Sequence, residues 1–85
     1  MLKVEIAPLA ARDLSRVPER ELARVKPRIL ALERDARPHG VKKLEGPLHR
    51  TRVGDWRILY SIDDDRKIVV ILRVLRRSER TYKFI

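Results

Sequence analysis

An α+β domain, with two N-terminal helices packed on one face of an antiparallel-rich sheet, is what three patterns in this 85-residue chain predict. Alternating apolar and polar residues open it, three- and four-residue apolar spacing follows, and three closely spaced strand-like runs come last. The predicted order is β-α-α-β-β-β in one domain, residues 1–85, because a chain of this length builds one small core with no room for a separate cofactor domain.

In "LKVEIA", Leu2, Val4 and Ile6 share one face and Lys3 and Glu5 the other, as in a half-buried strand. Pro8 suits the first turn of a helix that carries Leu9, Ala10, Asp13, Leu14 and Val17 at helical spacing and ends at Pro18. From Glu19 onward Leu22, Val25, Ile29, Leu32 and Ala36 form one apolar stripe, and Pro27 is expected to remove a backbone hydrogen bond and bend that helix. "PHGVKKLEGP" reads as a loop. The strands "LHRTRV", "DWRILYSI" and "KIVVILRVL" follow, joined by Gly54-Asp55 and by the polar turn Asp63-Asp64-Asp65-Arg66.

Composition narrows the function. Without cysteine there are neither disulfides nor a thiolate zinc cluster, and the opening strand is not a signal peptide, so a soluble protein of the cytoplasm is expected, with no membrane partner. Lys and Arg outnumber Asp and Glu 21 to 12, a net charge of +9. Residues 40–85 hold twelve of those bases against six acids, so the C-terminal half is expected to build a surface for a polyanion, nucleic acid foremost.

Period-2 geometry sorts the bases. Arg50 and Arg52 point one way with His49 and Val53 the other; Trp56, Ile58, Tyr60 and Ile62 form an apolar face opposite Arg57, Leu59 and Ser61; Arg73 shares a face with Val69 and Ile71. Arg50, Arg52, Arg57 and Arg73 are therefore candidates to converge with Arg76 and Arg77 on a phosphodiester, whose transition-state charge planar guanidinium donors suit. The competing reading is a basic face that only solvates the sheet. Trp56 and Tyr60 are assigned to the core, whereas Tyr82, flanked by Arg80 and Lys83, either stacks on a base or docks the tail with Phe84. His39 and His49 lack evident acid–base partners, and consecutive aspartates in a hairpin turn diverge into water instead of clustering for metals.

Over essentially its whole length the chain resembles the RelE/ParE toxins of type II toxin-antitoxin systems. "KKLEG" leads to a basic strand, then come "RVGDWRILY", a polar turn, an apolar strand and "VLRRSERTY". The resemblance implies a compact RelE-like, microbial RNase-like fold and, for the RelE branch, metal-independent cleavage of messenger RNA on the ribosome by attack of a 2′-hydroxyl on the adjacent phosphate. No cofactor is implied. It implies Arg57, Arg77, Tyr82 and Arg52 as catalytic, and Arg50, Arg73, Arg76, Arg80, Lys83, Lys42 and Lys43 as RNA-contacting. Some relatives carry lysine where Arg50 and Arg52 stand, and an arginine is a poor proton acceptor near neutral pH. A small RelB-like antitoxin is the implied partner beside ribosome and mRNA, with operator DNA bound only through the antitoxin. Two other functions stay open, a ParE-like gyrase inhibitor and a plain basic RNA-binding module.

Overall fold

The computed structural model describes residues 1–76; Arg77, Arg80, Tyr82 and Lys83 lie outside them. Strand β1 (Lys3–Ile6) leads into helix α1 (Pro8–Ser15) and helix α2 (Glu19–Leu30), which tightens into a 3-10 turn at Ala31–Glu33. Four strands follow: β2 (Lys42–Glu45), β3 (Leu48–Val53), β4 (Trp56–Asp63) and β5 (Ile68–Arg76). They form one sheet in the order β1-β5-β4-β3-β2, with β1 parallel to β5 and the other neighbours antiparallel.

Strand β2 is the departure from the expected order. Its "KKLE" falls in a segment rich in proline and glycine, yet Lys42 pairs with Arg50 and Lys43 with His49 before a bulge brings Glu45 opposite Leu48. Gly46, at φ +53°, makes the tight return to β3 that this pairing requires. Helix α2 runs through Pro27, whose missing N–H leaves the Ala23 carbonyl without its helical donor while the helix continues to Leu30.

The core lies between the helices and one face of the sheet. Ala10, Val17, Val25, Ile29, Leu32 and Ala36 pack on Val53, Trp56, Ile58, Tyr60, Ile62, Val69, Ile71 and Val74. Fully burying an Ile or Leu such as Ile58 or Leu32 contributes about 1.5–3 kcal/mol. Tyr60 is completely buried and donates its hydroxyl to the Ala36 carbonyl at 2.8 Å, tying β4 to the chain beyond the 3-10 turn. Two apolar positions do not follow the pattern: Ile6, on an edge strand with one neighbour, and Leu9, on the outer side of α1, are exposed.

A candidate phosphate-binding face

Cross-strand partners share a face, so the register of β2 to β5 states which side chains stand together. One row runs Lys42, Arg50, Leu59, Arg73 and the next runs Arg52, Arg57, Leu75. Both lie opposite the helix-packed face, because Thr51, Val53, Ile58 and Tyr60 alternate with them and are buried on the other side. Leu59 and Leu75 are buried as well, which makes a narrow apolar strip beside the basic side chains. Arg52 is exposed, and Arg50 and Arg57 are half-buried.

Arg52 and Arg57 stand directly opposite one another. Like charges in such a position disfavour the sheet by about 0.2–1 kcal/mol, a cost that an anion held between the two guanidinium groups would remove. Arginine is suited to that task, since its planar donors grip two oxygens at once and it does not lose its charge.

Arg73 continues the first row by register, opposite Leu59, but its guanidinium is held by another group, and Arg76 lies on the other face. A bulge interrupts the pairing of β4 with β5, so that Tyr60 faces Ile71 but Leu59 faces Arg73, with Leu72 as the extra residue. Simple alternation, which groups Arg73 with Val69 and Ile71, therefore fails at this point. The Arg73 guanidinium instead grips buried Asp13 of α1, with Nε donating to Oδ2 at 2.8 Å and Nη2 to Oδ1 at 3.2 Å. Beyond the bulge Arg76 is opposite Trp56 on the helix-packed face, its guanidinium 4.7 Å from the indole centroid and 4.0 Å from Glu21. Lys43, opposite His49, also belongs to that side, leaving Lys42 as the lysine of the pair on the basic face.

His49 is explained by packing. It is buried, stacks on Tyr60 with ring centroids 5.8 Å apart, and donates from Nδ1 to the Pro47 carbonyl at 2.7 Å. The aspartates of the β4–β5 turn are likewise structural: Asp63 accepts the Arg66 backbone N–H, and Asp64 accepts two hydrogen bonds from Arg37. Those bonds hold the Asp64 carboxyl below its ordinary range. Among the described residues no three His, Cys, Asp or Glu side chains are grouped to hold a metal ion, and no helix is long and apolar enough to cross a membrane.

Asp13 was not among the expected site residues. Its signal was present in the sequence, as a carboxylate on the apolar stripe of α1, a position that demands a buried partner.

A two-helix layer on a five-stranded mixed sheet, with a basic outer face, defines a RelE-like toxin fold. The model for the ParE toxin of type II toxin-antitoxin systems matches residues 4–81. Toxin RelE of Mycobacterium tuberculosis is 40% identical over 80 residues, covering 88% of this chain and 80% of that protein. Among solved structures, the archaeal RelE-RelB complex from Pyrococcus horikoshii aligns with TM-score 0.83 at 29% identity over 93% of this chain and 98% of the matched chain. The toxin-antitoxin complex RelBE2 of Mycobacterium tuberculosis aligns with TM-score 0.79 at 36% identity over 89% and 98%. The isolated Escherichia coli RelE toxin, at 12% identity and TM-score 0.81 over 99% of this chain and 94% of that one, shares the fold. The chain belongs to the RelE/ParE family of type II toxin-antitoxin toxins, on its RelE-like side.

Proposed function

We propose that the chain is a ribosome-dependent endoribonuclease that cleaves messenger RNA by attack of a substrate 2′-hydroxyl on the adjacent phosphate. The observation that carries this reading is the directly opposed pair Arg52 and Arg57, bordered by Arg50 and Lys42 on the outer face of the sheet. In-line attack leaves little covalent work for the protein: it has to hold the phosphate, align the 2′-oxygen and neutralise the charge that develops on the equatorial oxygens. Arg57 holds the phosphate and stabilises that charge, joined by Arg77. Arg52 steadies the 2′-alkoxide electrostatically, its proton passing to water or ribosomal RNA. Tyr82 stacks on a base and orients the ribose. Arg50 and Lys42 carry the flanking backbone, with Arg80 and Lys83 as further contacts. The 40% identity to a protein named Toxin RelE supports the ribonuclease branch.

A RelB-like antitoxin is the proposed partner in a cytoplasmic complex, supported by the relatives solved with antitoxins. Covering the basic face with acidic or bulky segments would silence it, and operator DNA would be bound through the antitoxin. The ParE name of the matching family model favours a second reading, inhibition of DNA gyrase without nuclease activity. Induction in cells followed by mapping of mRNA 5′ ends separates the two. Codon-phased cuts support the ribonuclease, whereas intact mRNA with a DNA-damage response supports gyrase inhibition.

A further inference from the structure

The bulge in β5 decides which side chains the end of that strand presents to each side of the sheet. Were pairing to continue unbroken from Tyr60–Ile71, Ile58 would face Arg73, Arg57 would face Val74 and Trp56 would face Leu75. A one-residue slip moves every later side chain to the opposite face. That register would put the Arg73 charge into the core and draw Arg76 off Trp56. In the observed register Val74 faces Ile58 and is buried, Leu75 faces Arg57, and Arg76 faces Trp56.

A bulge leaves backbone groups without their ladder partners and the extra side chain without its place. One carboxylate holds the two residues that follow the extra residue Leu72. Asp13 Oδ2 accepts the Val74 backbone N–H at 2.9 Å as well as Arg73 Nε, while Oδ1 accepts Arg73 Nη2. Asp13 therefore binds the strand on both sides of the Arg73–Val74 peptide, from a helix whose own position is fixed by buried Ala10.

We infer that Asp13 is a positioning residue: by accepting the Val74 N–H it locks the β5 bulge and sets the phase in which the chain delivers Leu75 to the Arg52–Arg57 row and Arg76 to Trp56. Its consequence for cleavage rests on the ribonuclease reading, but its consequence for strand register does not. An Asp13 that merely neutralises Arg73 would be dispensable once both charges were removed.

The test compares two variants. Asp13→Asn keeps an acceptor oxygen for Val74, whereas the double variant Asp13→Leu/Arg73→Met replaces the ion pair with apolar contact and removes that acceptor. Trp56 is the only tryptophan of the chain, so its emission reports whether Arg76 remains over the ring. The folded double variant is expected to show the Trp56 emission of an Arg76→Ala reference. Its turnover of ribosome-bound mRNA is expected to fall at least tenfold in kcat, with KM for ribosomes within twofold, while Asp13→Asn stays close to the parent in emission and within threefold in kcat. Parental emission in the double variant overturns the inference, as does an Asp13→Asn loss as large as that of the double variant. If the parent cleaves no mRNA, the ribonuclease reading fails while the emission comparison still decides the register. If the double variant does not fold, hydrogen exchange of the parent decides: a Val74 amide as slow as the amides of β4 supports the inference, and a rapidly exchanging one overturns it.

Discussion

Replacing Arg52 or Arg57 by glutamine should separate stability from activity, because the opposed pair is unfavourable to the fold and useful to the chemistry. The two residues are direct cross-strand partners, which places their Cβ atoms about 5 Å apart. With charged ends about 6 Å apart in water, repulsion is on the order of 0.7 kcal/mol, and screening at physiological salt roughly halves it. Removing exposed Arg52 should therefore raise stability by about 0.3–0.7 kcal/mol, or about 1–5 °C in Tm for a domain of this size. The gain should shrink as salt is added. Arg57 is half-buried opposite Leu75, so glutamine, which keeps part of the stem, should leave stability nearly unchanged. Cleavage should move the other way: loss of a donor to the developing phosphate charge costs about 10²–10³ in rate, so Arg57→Gln should be nearly inactive. Thermal denaturation across a salt series and mRNA cleavage in a translating extract measure the two arms. A folded Arg57→Gln that cleaves within threefold of the parent, or an Arg52→Gln that lowers Tm, would refute the reasoning.

Two further outcomes are expected. Burial pushes the Tyr60 hydroxyl up to about 12, with Asp35 adding to the shift. The folded state thus favours the protonated phenol: its stabilisation is complete below the unfolded value near pH 10 and is lost between about pH 10 and 12, on the order of 2–3 kcal/mol. Alkaline titration by phenolate absorbance should show this late group, and Tyr60→Phe should abolish it while costing about 1–3 kcal/mol for the buried Ala36 carbonyl left without its donor. Asp64→Asn should keep parental cleavage, since Asp64 faces solvent and bonds Arg37 at the far end of β4. A large loss of cleavage in that variant would return the aspartate turn to the chemistry.

Much of the fold was legible because burial follows period. The stripe Val25, Ile29, Leu32 and Ala36 and the alternation Trp56, Ile58, Tyr60 and Ile62 both close on the same core. The shared face of Arg50, Arg52 and Arg57 followed from the same alternation, because β3 and the paired part of β4 run in unbroken register. Strand β2 was hidden because its pairing with β3 outweighs the local turn composition. Arg76 falls on the other face because a bulge shifts phase, and Arg73 keeps its place opposite Leu59 while its guanidinium is taken by Asp13, 60 residues away in the sequence. The roles given to Arg77, Arg80, Tyr82 and Lys83 come from the family pattern, as these residues lie outside those the structure describes.

The most direct measurement is the position and chemistry of the cut in mRNA held on ribosomes and exposed to the purified chain. The expected products are a 2′,3′-cyclic phosphate upstream and a 5′-hydroxyl downstream, at sites phased to codons, and absent with Arg57→Gln. Intact mRNA together with inhibition of purified DNA gyrase would contradict the ribonuclease assignment.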